Sequence, residues 1–528
     1  MAVAPRLAAR LAPRLVAALA TALALAAPAV GRAAPAVPAV PIPQDPGAAT
    51  VLPFLGAPRP ARPIPGVSFA PRHPFMAPND RSNLHDDAYQ SDAGVSRAPL
   101  GYSPTVTSTL FTQECASVTV DRLGRLLTVC VGLATVDLRL LDPTTLAVLA
   151  DYPLPPRPPS ALSHPFTAFG GGGYFYLDDH DRVVVPTSDG HIDVIEESGA
   201  TGLALVRQYD VSQYVGSSLI LSVLPDWAGR LWFVTGSGVV GTVDPGSGAT
   251  RAMTLPGESI GNSIAVDETG GVFVVSDRAL YRFDAGAGGA PTVSWRQPYD
   301  AGTRQKPGQS ELGSGTTPTV IRHGDHHYVA ITDNADPRMH VLVYRADRSG
   351  PGRRPVCSVP VFGSGTGDTD NSLIAFGSAI VVENNYGYTG PEQTPPSGSP
   401  ARNTPTTEPG VTRIDVDPER GTCRTTWRNT EVRVPTSVSK ASTATGLVYV
   451  YEHPSAAEVR YTSGAEPATG PEDPWYLTAL DARTGRRVWS VLTGVGLGYN
   501  NNYAPITFGP DGTAYVGVLG GLIAVRDR

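Results

Sequence analysis

A strand–turn–strand pattern recurs eight times along this chain, and few folds can absorb such a repeat. In each unit a short apolar strand meets a turn holding Asp or Gly. A second apolar strand follows, then a third that ends near Asp and a Gly or Pro turn, then a fourth. The first strands start near Cys115, Gly173, Leu219, Ser263, Thr317, Leu373, Ser439 and Ala504. Their spacing, roughly 44 to 66 residues, matches four-stranded blades set around an axis. Runs such as Val183-Val184-Val185 are apolar without alternation, which implies burial on both sheet faces. Blades stacked between two neighbours provide that burial. No amphipathic helix of ordinary length is visible.

The fold expected is therefore all-β: a single β-propeller over residues 105–528, with eight four-stranded blades and seven as the alternative count. The last unit offers three strands after Ala504. An open blade leaves unpaired edges. The segment Thr105 to Phe111 is expected to supply the missing strand and close the ring.

Three segments precede the repeats. Residues 1–29 read as a signal peptide, with Arg6, Arg10 and Arg14 ahead of an apolar run from Leu15 to Ala27 and a small-residue cleavage site at Ala27-Pro28-Ala29. A retained anchor is the alternative. The protein is thus expected to be secreted or on the cell-envelope exterior, without stable membrane insertion. Residues 30–72 are Ala/Pro-rich and read as a disordered or extended linker. Residues 73–104 are a polar, irregular lead-in. Its His85-Asp86-Asp87 could fold over a face of the ring, but an ordinary surface segment is the expectation.

With 57 Gly, 51 Pro and 17% charged residues, the composition suits short strands and tight turns. The net charge of −7, with no basic stripe, argues against nucleic acid as a partner. The chain is taken to be monomeric. Four cysteines fit an oxidising compartment. Cys115 and Cys130 flank a hairpin whose turn lies near Arg122 to Gly124, so they face one another and can bridge. Cys357 and Cys423 are then the remaining pair. No Cys/His spacing suggests zinc or haem.

The stretch Ala479-Leu-Asp-Ala-Arg-Thr-Gly-Arg-Arg-Val-Trp489 resembles the repeat of quinoprotein-type (PQQ-like) propellers, Ala-x-Asp-x-x-Thr-Gly followed by Trp. Trp295 and Trp427 hold similar places in two other fourth strands. The resemblance implies eight blades with Trp residues docking neighbouring blades. It does not carry over a cofactor site. The adjacent-cysteine disulfide often found beside the quinone is missing, which argues against PQQ.

In a propeller the first strand lines the axis. The loop entering it and the loop between second and third strands share one face, here called the leading face. The turn after the first strand lies on the opposite turn face. On the leading face fall Asp368, Asp370 and Asn371; Glu383, Asn384 and Asn385; Asp333, Asn334 and Arg338; Glu452 and His453; Lys440; and Asn500, Asn501 and Tyr503. Glu311, Ser314 and Thr316 enter the fifth blade there. Such carboxylate and amide oxygens suit Ca²⁺, with Asp368, Asp370 and Asn371 as its ligands. They also suit hydrogen bonding to a small molecule or glycan, or acid–base chemistry with Glu452, His453 and Lys440. Asp178-Asp179-His180-Asp181 and His323-Gly-Asp-His-His327 fall on the turn face and read as solvated turns.

The leading functional expectation is a secreted propeller binding a small molecule or glycan, with catalysis undecided. A quinoprotein-like oxidoreductase, a hydrolase or lyase, and a protein-interaction module are the alternatives.

Overall fold

Eight antiparallel sheets follow one another around an axis in the computed structural model. The structure describes residues 36–163, 166, 170–199, 201–350, 354–388, 390–391, 406–417, 419–468, 470 and 472–528. The expected signal peptide lies outside them, as do residues 389 and 392–405. The innermost strands are Glu114–Val120, Tyr176–Leu177, Ile220–Pro225, Ala265–Val266, Thr319–His323, Ile374–Phe376, Lys440–Ser442 and Ile506–Phe508. Each sits at the edge of its own sheet, the seventh excepted, and so defines blades 1 to 8. The eighth blade is completed by Thr105–Leu110, paired antiparallel with Gly521–Arg526. The two ends of the repeat are thus clasped in one sheet.

The blades pack through continuous apolar strands. Val183, Val184 and Val185 are all buried, as are Val272 to Val275. The Thr-Gly…Trp repeat has a steric explanation. Trp427, in the outer strand of blade 6, lies on Gly485 of blade 7 and donates its Nε1–H to Ala482 O at 3.0 Å. A Cβ on Gly485 would fall 2.3 Å from that ring, and the residue has a φ of +70°. Asp481 shapes the turn by accepting from the N–H groups of Arg483 and Thr484. Trp295 repeats the contact from blade 4 to blade 5, donating to Asp347 O at 3.0 Å. Trp489 is fully buried between blades 7 and 8, among Tyr449, Ala514 and Val525.

Both disulfides are formed. Cys115–Cys130 links the first two strands of blade 1. Cys357–Cys423 ties the outer strand of blade 5 to that of blade 6.

The segments ahead of the ring are not independent of it. From Ala36 the expected linker is laid against the blades. Val37 bridges Val148, Phe54–Gly56 pairs with the outer strand Arg487–Val495 of blade 7, and Ile42 and Val51 are buried. The lead-in departs further from a surface segment. It runs inside the turn-face end of the axis and bonds one inner strand after another. Leu177 N–H donates to Ser82 O, Val266 N–H to Ala88 O, Val320 N–H to Tyr89 O, Ala375 N–H to Ser91 O and Ala441 N–H to Asp92 O. Ala93–Gly94 then pairs parallel with Lys440–Ser442. Inner strands present unpaired backbone groups to the axis, and the lead-in satisfies them. No helix among the described residues is long and apolar enough to cross a membrane.

The Trp–Gly dock predicts a large effect from a small change. Gly485→Ala should lower stability by about 2–3 kcal/mol, from left-handed backbone strain plus overpacking. Urea unfolding of the variant checks it, and a loss within ~0.5 kcal/mol would show that the ring does not rely on this contact.

Candidate functional site

The lead-in closes the turn face, and a polar chamber remains above it. At its base Lys440 is fully buried. Its Nζ donates to Leu84 O at 2.5 Å, Asp86 Oδ1 at 2.7 Å and Asp92 Oδ1 at 3.2 Å. Burial opposes the ammonium charge, but Asp86 and Asp92 overcome it and hold the Lys440 pKa above its usual value. The second oxygen of Asp92 meets His85 Nδ1 at 2.8 Å. The His85 ring stacks on Tyr174, with centroids 6.0 Å apart. Lys440 is therefore the counter-ion of the lead-in rather than an available base.

Above this base lie Glu383, Asn371, Asp370, Asp368 and Tyr503. Tyr174, Asp370 and Tyr503 are partly exposed among otherwise buried neighbours. Asp368 is 1% exposed, and neither of its carboxyl oxygens has a hydrogen-bond partner. Asn371 and Glu383 are likewise buried and lean on each other, without a well-formed hydrogen bond at either amide atom of Asn371 or at Glu383 Oε1. Burial pushes Glu383 up to about 8, against the pull of Ser439. Burial pushes Asp370 up to about 7, against its bonds from Ser310. Asp368 is raised by burial and by the charge of Asp370, with Lys306 and Arg304 opposing.

A loop from Asp300 to Thr316 roofs the chamber. Its Gly308 O accepts from Tyr503 Oη at 3.2 Å, and its Ser310 N–H donates to Asp370 Oδ2 at 2.9 Å. Gly308 passes so close to blade 6 that a Cβ would lie 2.4 Å from Asn385 O. Tyr388 reaches across to Asn500 Oδ1 at 3.2 Å and Asn502 Oδ1 at 3.1 Å.

Several predicted residues serve this scaffold instead of facing the chamber. Asn334 donates to Ala301 O and Arg304 O and so anchors the roof. Asn385 holds Asp370 N–H and Val434 O, Asn384 caps the Asp368 loop, and Asn501 donates to Gly517 O. Asp333 pairs with His340 Nδ1 at 2.9 Å. Arg338 is exposed at the rim. The expected acid–base set is not assembled. Glu452 is held by Arg487 at 2.6 Å and by Thr478, toward the outer strands. His453, on the opposite side of that strand end, stacks on Trp475 and bonds Asp473 at 2.5 Å. Successive strand residues point to opposite faces, which separates them from each other and from Lys440.

Sequence reasoning missed Tyr174, Tyr388, Asp92 and the roof at Gly308 and Ser310. The polar run of the lead-in was the available signal for Asp92. On the turn face, Asp178 caps its own turn, while Asp181 binds Arg81 and Arg122. His327 departs from a solvated turn: it is buried against Tyr89 and Glu268.

The fold and chamber define an eight-bladed propeller closed on one face and polar within. No protein-family model matches the chain. A protein of Archaeoglobus fulgidus described as uncharacterized is 27% identical over 370 residues, which cover 66% of this chain and 67% of that protein. Among solved structures, a quinohemoprotein alcohol dehydrogenase from Comamonas testosteroni superposes with a TM-score of 0.50 at 12% identity, covering 86% of this chain and 81% of that one. A streptogramin B lyase gives a TM-score of 0.36 at 10% identity, covering 80% and 97%. The dehydrogenase supports the fold.

Two predictions follow from the burial of these charges. Glu383 and Asp370 bind protons more tightly when folded than the value near 4 expected of an unfolded chain. Folding takes up protons between about pH 4 and pH 8, so stability falls as pH rises through that window. In chelator, melting should be lower at pH 8.5 than at pH 5.5, and Glu383→Gln should recover more at the higher pH. An equal offset at both pH values would refute it. Separately, Lys440→Met should cost about 3–5 kcal/mol in urea unfolding, because Asp86 and Asp92 lose their counter-ion.

Proposed function

We propose that this chain is an exported, monomeric propeller protein that binds a small polyhydroxylated molecule or glycan in the axial chamber, with Ca²⁺ held at Asp368, Asp370 and Asn371. The observation that carries the reading is the buried carboxylate of Asp368, unpartnered at both oxygens, with the weakly paired Asn371 and Glu383 beside it. Buried polar groups without partners are costly, and they point to a partner of complementary chemistry. Hydroxyl groups satisfy carboxylate and amide atoms together, and a hard cation takes carboxylate and carbonyl oxygens. Tyr174 adds an aromatic face to the same wall. The cysteine chemistry and the N-terminal charge pattern support export.

A quinone does not fit these residues. Cys115–Cys130 is buried with Val118, Tyr515 and Leu522 between blades 8 and 1, and Cys357–Cys423 joins outer strands. Neither disulfide offers a platform in the chamber. The dispersal of Lys440, Glu452 and His453 favours binding over acid–base chemistry by that set.

Thermal unfolding in chelator, in calcium, and in calcium with a panel of monosaccharides and polyols tests the reading. Calcium should raise the melting temperature by about 2 °C or more, and at least one polyol should raise it further. Asp368→Asn should abolish the calcium shift. No shift from any addition would overturn the proposal.

A further inference from the structure

A second cavity opens on the leading face at the seam between blades 8 and 1, with a volume of about 340 Å³. Its walls are apolar: Leu110, Leu133, Leu497 and Leu519 contribute to them. Leu133 and Leu497 are large apolar side chains left exposed, Leu133 at 65%. Two charged groups stand among these residues, Glu114 and Arg157, both buried. Glu114 Oε2 accepts from Asn502 Nδ2 at 2.8 Å, and its Oε1 has no hydrogen-bond partner. Arg157 Nη1 donates to Gly132 O at 3.2 Å. The Asn502–Tyr388 pair stands between this cavity and the axial chamber, so the two are neighbours but distinct.

We propose that this seam cavity is a second binding site, for a small apolar monocarboxylate such as a short alkanoate or a monocyclic aryl carboxylate, whose anion lies against Glu114 and Arg157. The volume falls at the small end of ligand cavities and admits about ten to fifteen non-hydrogen atoms. The leucine walls take a hydrocarbon body and exclude a sugar. At the polar end Arg157 supplies positive charge. Glu114 is pushed up to about 8 by burial, with Asn502 and Arg157 opposing, so near neutral pH it carries a proton that a carboxylate can accept. The titratable groups facing Glu114 are Arg157, from the segment after blade 1, and Tyr503, from the loop into blade 8. The Tyr503 phenol is raised well above its usual value by burial and stays neutral across this range. The inference does not rest on the axial chamber.

Saturation-transfer NMR and calorimetry on the full chain, with hexanoate, phenylacetate and hexanamide as probes, test it. At pH 7 at least one carboxylate should bind at least tenfold more tightly than hexanamide. Its affinity should fall about tenfold between pH 7 and pH 9 as Glu114 ionises, and Glu114→Gln should remove that dependence. Leu133→Glu, at an exposed position, should weaken binding more than tenfold with an unchanged melting temperature. No transfer from either carboxylate, equal binding of hexanamide, or a wild-type affinity flat from pH 7 to pH 9 would each overturn the proposal.

Discussion

Every inner strand of a propeller ends its sheet at the axis, where its backbone donors and acceptors have no neighbouring strand. Water satisfies such groups in an open channel. Here the lead-in does so over most of the turn-face half, bonding blades 2, 4, 5, 6 and 7 in turn. The polarity of that segment follows from its position. A peptide running down a channel of backbone edges needs side chains that bond one another and the walls. Asp87 accepts from Ser91, Asp92 from His85 and Lys440, and Asp80 from Ser96. Buried charges of this kind persist when paired and hydrogen-bonded. Lys440 is the pairing partner that the ring contributes.

With one end of the axis filled, the proposed site falls at the other end. The roof from Asp300 to Thr316 crosses from blade 5 to blade 8 and narrows the chamber without matching its polar atoms. Ser310 meets Asp370, but the Asp368 carboxylate stays unpaired. A roof that completes the fold while leaving these atoms unmatched differs from the lead-in, where nearly every polar group has a partner. That contrast separates a structural polar network from a site.

The ring was legible in the sequence because blade packing imposes a repeated apolar grammar. The start of each inner strand, the closing strand at Thr105 and the Cys115–Cys130 bridge could be read from strand pairing, and Cys357–Cys423 followed as the remaining pair. The Trp–Gly dock lay in the Thr484-Gly485 and Trp427 pattern. The lead-in was not legible, since its bonds run from its backbone to strands up to several hundred residues away, and composition alone cannot separate a buried polar strand from a surface one. The candidate site was legible in part. Asp368, Asp370, Asn371, Glu383 and Tyr503 were placed near the axis by topology. Topology does not say which way a side chain turns, so Glu452 and His453 were grouped with Lys440 although alternation along the strand sends them elsewhere. The amides read as ligands mostly cap loops, the commonest task for Asn in such turns.

The electrostatics of the leading face bind these observations together. Glu114, Asp368, Asp370 and Glu383 are all largely withdrawn from solvent, and the first three act on the Tyr503 phenol. Four carboxyl groups at such depth cannot all be ionised without a compensating charge, and burial raises all four. The compensation is supplied either by protons or by a cation. The two alternatives act at different places. At the chamber, the unpaired carboxylate of Asp368 is where the proposed cation would displace protons. At the seam, Glu114 is held by Asn502 beside Arg157, so a proton on Glu114 suffices for the proposed anion to approach. The same burial that makes this face costly to fold is thus the common ground of the two proposed sites, one for a cation and one for an anion.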